Sequence, residues 1–138
     1  MQLKEIITSP AHTVPPDCTL FDAAKTMMSR DLGWLPVADS GKVVGIITDR
    51  DITIRGVAGG LDARKTKVED VMSKDVFCCS IDGTVEDAAN MMEDEQVRRL
   101  VVVDENEKIA GVVSLADLAL DTREETSAEV LKEVSKPA

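Results

Sequence analysis

The sequence predicts a mixed α/β (α+β) fold made of two copies of one β-α-β-β-α unit, related by a pseudo-two-fold axis. Three observations lead there. Residues 3–54 return in degraded form at 68–120, with Asp17, Thr19, Asp22, Ala23, Ala24 and Met27 falling on Asp82, Thr84, Asp87, Ala88, Ala89 and Met92. After one extra residue in the second turn, Lys42, Gly45, Thr48 and Asp51 fall on Lys108, Gly111, Ser114 and Asp117. Within each copy the apolar pattern changes from helical spacing to continuous strand-like runs. Each copy is about 50 residues, short for a core of its own, so the two are expected to share one.

Each copy opens with a short amphipathic segment, Leu3 to Ile7 and Val68 to Met72. A short extended stretch follows, Ala11 to Val14 and Val76 to Ile81. Thr19 and Thr84 then read as helix N-caps. Leu20, Ala23, Ala24 and Met27 share one helix face, as do Val85, Ala88, Ala89 and Met92. The alanines make that stripe narrow, so another element must approach closely. With Met27, Met28, Met91 and Met92 it is the expected surface of a homodimer. Two strands flank each following turn: Trp34 to Ala38 and Lys42 to Thr48 around Asp39-Ser40-Gly41, and Leu100 to Val103 and Lys108 to Ser114 around Asp104 to Glu107. Their unbroken apolar character predicts cover on both faces. Second helices start at Asp49 and Leu115. The organisation is thus one module over 1–138: repeat one at 3–55, a linker at 56–67, repeat two at 68–120 and a C-terminal helix at about 123–135.

Apolar residues make up 43% of the 138, and with two Phe, one Trp and no Tyr the core must be aliphatic. A net charge of −10 and a pI near 4.5 argue against a nucleic-acid binder, which needs a basic face. No stretch is apolar for long enough to span a bilayer, and the polar start does not read as a signal peptide. Cys18, Cys78 and Cys79 are odd in number, with two adjacent, so no disulfide framework is expected and the chain reads as cytoplasmic. Adjacent cysteines on a strand point to opposite faces, which disfavours one metal held by both. Whether these cysteines or His12, the lone histidine, bind metal is left open by the sequence. No Ser-His-Asp set, Cys-His pair or carboxylate cluster suggests an enzyme.

Two spacings carry chemistry. Thr48-x-x-Asp51 and Ser114-x-x-Asp117 sit at strand-to-helix junctions, where a hydroxyl and an acid form a capping box without any ligand. The same geometry suits a nucleotide: unpaired N–H groups and a hydroxyl face a phosphate, while the carboxylate accepts from ribose hydroxyls. Adjacent Arg98 and Arg99 in so acidic a chain also suggest phosphate, which guanidinium forks grip bidentately.

The most specific runs are Gly45-Ile46-Ile47-Thr48-Asp49-Arg50-Asp51-Ile52, its weaker copy Gly111 to Leu118, and Val97-Arg98-Arg99-Leu100-Val101-Val102-Val103-Asp104. In this order, twice, they resemble the cystathionine-β-synthase (CBS) domain family, and the chain is similar to a stand-alone tandem CBS pair. The resemblance implies two pockets shared between repeats that take AMP, ADP or ATP. One would use Thr48, Arg50 and Asp51 with Val76, Phe77, Val97 and Arg98, the apolar members sandwiching a purine. The other would use Ser114 and Asp117 with Ala11, His12, Leu32 and Gly33, and Arg99 could serve either. With more cations nearby, the first is expected to dominate. The implied role is regulation of an unknown partner protein in trans, without catalysis. The alternatives are a ligand-free structural or interaction module and a metal- or redox-sensing dimer.

Overall fold

In this computed structural model, which describes residues 1–121 and 133–134, the mixed α/β fold and its duplicated element order are those the sequence predicts. The first helices are α1 (Leu20–Arg30), followed by the short α2 (Asp49–Asp51). In repeat two they are α3 (Val85–Glu95) and α4 (Leu115–Asp121). Thr19 Oγ1 accepts from the N–H of Asp22, and Thr84 Oγ1 from that of Asp87, both at 3.1 Å. At their far ends Asp31 and Gln96 adopt the left-handed conformation (φ 54° each), and their N–H groups close onto Met27 O and Met92 O. The opening segments are single 3-10 turns, Leu3–Glu5 and Val68–Asp70.

Strands β1 (Trp34–Asp39) and β2 (Lys42–Thr48) form one antiparallel hairpin. In repeat two, β3 (Cys78–Ser80) runs parallel to β4 (Arg99–Val103), which pairs antiparallel with β5 (Ile109–Ser114). The expected first strand of repeat one shrinks to Val14, bridged in parallel to Val37. Pro15 and Pro16 follow it directly, and residues without an N–H cannot extend a ladder. Consecutive Leu35, Pro36 and Val37, and Leu100, Val101 and Val102, are all buried, so these strands are covered on both faces. Val44 on β2 is exposed.

The chain divides into two compact units that do not follow the repeat boundaries: residues 12–76, and residues 1–11 with 77–138. Each repeat's opening segment completes the sheet of the other repeat. Thr8 exchanges hydrogen bonds with Val112 on β5 (2.9 and 3.0 Å), and Ser73 does so with Ile46 on β2 (2.8 and 2.9 Å). Glycine makes room for both contacts. A β-carbon on Gly111 would sit 2.5 Å from Thr8 O, and one on Gly45 would sit 2.8 Å from Ser73 O.

The exchange corrects the expectation of one shared core. The buried apolar residues form two clusters. One holds Val14, Leu20, Ala23, Met27, Leu35, Val37 and Ile47 together with Val68 and Val71. The other holds Leu3 and Ile6 with Val85, Ala88, Ala89, Met92, Leu100, Val102, Val113 and Leu118. A unit short of its own apolar area is thus finished by two residues borrowed from the other repeat's leader.

Two further expectations change. Ala23, Met27, Ala88, Ala89 and Met92 lie inside these clusters, so the alanine-methionine stripes face the chain's own sheets. Of the proposed dimer surface, Met28 stands out at 76% exposed. The 56–67 segment is also more than a linker. α2 continues into a π-helix, Ile52–Val57, whose buried Gly56 lies under Leu20. Ala63 O and Thr66 O accept from the N–H groups of Phe21 and Leu20 at 3.0 Å each, satisfying the start of α1. The predicted C-terminal helix lies outside the described residues apart from Glu133 and Val134. Val134 is buried in the cluster with Leu3. No described helix is long and apolar enough to cross a membrane.

Candidate functional site

Each strand-to-helix junction is built by a hairpin that sets a short stretch of one strand beside the end of the next. In repeat two, Arg99 is the register partner of Ser114, and the N–H of Leu115 donates to Arg98 O at 2.8 Å. Both arginines therefore lie at the turn from β5 into α4. That turn is a closed capping box. The N–H of Asp117 donates to Ser114 Oγ at 3.1 Å, and the N–H of Ser114 donates to Asp117 Oδ2 at 2.8 Å. Beside it opens a cavity of about 380 Å³ lined by Arg98, Arg99, Ser114, Leu115, Ala116 and Ala119. Arg98 and Arg99 are exposed, so the guanidinium groups can turn toward a ligand without losing a buried partner.

Repeat one has the same backbone plan with different chemistry. Trp34 is the register partner of Thr48, and the N–H of Asp49 donates to Gly33 O at 3.0 Å. Thr48 and Asp51 close their box with two bonds of 3.0 Å. Here the second carboxylate oxygen is also taken, because Asp51 Oδ1 pairs with Arg55 Nη2 at 2.6 Å. Asp49 lies against Gly33, where a β-carbon would come within 2.8 Å of its Oδ2.

Thus Arg98, Arg99, Ser114 and Asp117 stand at one junction, and Gly33, Thr48, Arg50 and Asp51 at the other. Three of the apolar candidates pack against the cores. Phe77 and Val97 lie partly buried against the cluster of repeat two, and Leu32 against that of repeat one. Ala11 and Val76 are half-buried at unit edges, and His12 is exposed. The sequence reading overlooked the Asp51–Arg55 pair, although an acid followed by Arg at i+4 on a helical stretch signals it. Within repeat two, hairpin register sets Arg98 and Arg99 beside Ser114.

The surroundings of the three cysteines hold their thiols protonated. Burial, then Asp22 and Asp17, pushes the Cys18 thiol up to about 11. Burial, then Cys78 and Asp87, does the same for Cys79. Burial and Glu107 raise Cys78. All three stay protonated near neutrality, unlike reactive thiols. Among the described residues no group of three or more His, Cys, Asp or Glu could hold a metal ion.

The duplicated junctions are matched by a family model. The one described as CBS domain matches residues 3–55 and 68–120. The chain belongs to the CBS domain family. CBS domain-containing protein YhcV of Bacillus subtilis is 37% identical over 126 residues, spanning 91% of this chain and 89% of YhcV. A crystal structure of Hypoxic Response Protein I with two coordinated zinc ions matches with a TM-score of 0.80 at 31% identity, over 89% of this chain and 100% of that one. The CBS domain pair of protein MJ0100, in complex with 5′-methylthioadenosine and S-adenosyl-L-methionine, matches with a TM-score of 0.75 at 28% identity, over 87% and 94% of the two chains. Some CBS pairs therefore bind adenosine ligands.

Proposed function

We propose that this CBS pair is a regulatory module that binds an adenosine nucleotide (AMP, ADP or ATP) and acts in trans on a partner protein, without catalysing a reaction. The observation that carries the reading is the repeat-two junction, where a hydroxyl and two arginines line an open cavity and the Asp117 carboxylate closes the cap of the same turn. Those groups match the parts of a nucleotide: guanidinium forks for phosphate, a carboxylate for ribose hydroxyls. The adenosine ligands of the MJ0100 pair support it. The test is thermal unfolding of the full chain with AMP, ADP, ATP and S-adenosylmethionine. A ligand that binds only the folded state adds about 2.7 kcal/mol at a hundredfold excess over Kd. For a chain of this size that is roughly 5–10 °C in Tm. No shift with any of the four at millimolar concentration would end this reading.

A second reading, a ligand-free interaction module, is favoured by one observation. Both capping boxes are complete within the chain, so Asp51 and Asp117 already have structural work. For a metal-sensing role, Hypoxic Response Protein I coordinates two zinc ions, but among the described residues of this chain no group of three or more His, Cys, Asp or Glu could hold one.

A further inference from the structure

We infer that the two junctions are unequal. Repeat two carries a site for an adenosine ligand bearing an anionic group, whereas repeat one's carboxylate is held shut by Arg55. This rests on the adenosine-nucleotide reading and deepens it by naming the ligand's charge class and the number bound.

Equivalent positions differ in charge. Arg98 and Arg99 stand where repeat one has Gly33 and Trp34, and Leu115 stands where repeat one has Asp49. An anion approaching repeat two meets two guanidinium groups and an apolar wall around a cavity of about 380 Å³. An anion approaching repeat one meets Asp49 against Gly33, and of the cations in that turn Arg50 directly follows Asp49 and Arg55 is already paired with Asp51.

The carboxylates differ as well. A ribose diol needs an oxygen that the cap does not use. Asp117 gives Oδ2 to Ser114, and among the described residues its Oδ1 accepts no hydrogen bond. Asp51 gives Oδ2 to Thr48 and Oδ1 to Arg55, and its side chain is 13% exposed. A ligand must displace Arg55 to reach it. The sequence gives repeat two no such competitor, because the residue at i+4 from Asp117 is Asp121. Repeat two therefore binds and repeat one does not, the reverse of the order expected from the sequence.

Calorimetric titration of the full chain with AMP and with adenosine tests this. The expected result is one AMP per chain, with adenosine weaker by about 10- to 100-fold, the equivalent of one charge-assisted hydrogen bond or two. Replacing both Arg98 and Arg99 with Ala should bring AMP down to the affinity of adenosine while leaving adenosine unchanged, whereas a collapsed site would weaken both. Asp117→Asn should weaken both ligands, and Asp51→Asn neither. Arg55→Ala should open a second adenosine site. Two AMP per chain in the parent protein, or equal affinity for AMP and adenosine, would overturn the inference while leaving the adenosine-ligand reading intact. If neither ligand binds, and ADP, ATP and S-adenosylmethionine do not bind either, the underlying reading fails and the inference falls with it.

Discussion

Cutting the chain at its sequence repeats and cutting it at its structural units should give opposite results. Fragment 1–60 contains repeat one up to Gly60, where the linker bends. Fragment 12–76 is the unit that includes the exchanged leader of repeat two. The two are of similar length, so chain entropy is comparable. Fragment 1–60 lacks Val68 and Val71, which are 0% and 2% exposed in the intact chain. Burying a Val side chain contributes about 1.5–3 kcal/mol, so the deficit is roughly 3–6 kcal/mol before polar contacts are considered. Fragment 1–60 also loses the Ser73–Ile46 pair and the bonds from Leu20 to Thr66 and Phe21 to Ala63. Each such bond is worth about 0.5–1.5 kcal/mol net. Total stabilities of small domains are only about 5–15 kcal/mol, so this deficit decides whether a fragment folds. Its added residues 1–11 bring Leu3 and Ile6, whose packing partners lie in repeat two. Urea titration followed by far-ultraviolet circular dichroism should therefore show a cooperative transition for 12–76 and a featureless slope for 1–60. A transition in 1–60 with a midpoint equal to or above that of 12–76 would refute the exchange as the organising contact.

Other consequences are sharper at single residues. Gly45→Ala and Gly111→Ala should each destabilise the chain by about 1–3 kcal/mol, because the new methyl meets a backbone carbonyl, Ser73 O or Thr8 O, and at Gly45 the Met72 side chain as well. Chemical denaturation checks this, and an unchanged midpoint would show that the exchanged strands can shift away. Thr84→Ala, which removes the acceptor for Asp87 N–H, should cost about 1 kcal/mol by the same measurement. Cys79 holds its proton more tightly folded, at about 11, than in the unfolded chain, at about 9. Its contribution is complete below pH 9 and lost as pH rises toward 11, so Cys79→Ala should flatten the fall in stability across that interval. Homodimerisation at micromolar concentration is expected from the exposed Met28, Ile54, Val57 and Leu61, and a monomer by light scattering would count against it.

What could be read from the sequence was local. Thr19, Thr84, Ser114 and Asp117 were identifiable because capping uses fixed short spacings, and the hairpins because turn residues interrupt apolar runs. The exchange of leaders could not be read, because duplication hides it. Leu3, Ile6 and Thr8 correspond to Val68, Val71 and Ser73, so either leader suits either sheet by size and polarity. Pattern reports that a segment is apolar on one side, and long-range pairing decides which sheet it covers. The same ambiguity misdirected the alanine-methionine stripes. Their spacing shows a narrow apolar face on α1 and α3 but not whether a second chain or the chain's own strands fill it.

The candidate site shows a different limit, because one motif serves two purposes. The Thr48–Asp51 and Ser114–Asp117 boxes have nearly the same hydrogen-bond distances, so their geometry reports only the cap. Any ligand function must lie in what surrounds them, and there the repeats diverge: Arg55 and Asp49 in one, Arg98 and Arg99 in the other. Substitution to Asn separates the two purposes better than substitution to Ala. An Asn side-chain oxygen still accepts the backbone N–H that the cap supplies, so baseline stability should fall by less than the roughly 1 kcal/mol expected for Ala. It no longer offers a carboxylate to a ribose diol. Asp117→Asn should therefore keep most of the parent Tm and lose the nucleotide-dependent increment. A nucleotide-dependent increment that survives Asp117→Asn unchanged would assign the carboxylate to the cap alone.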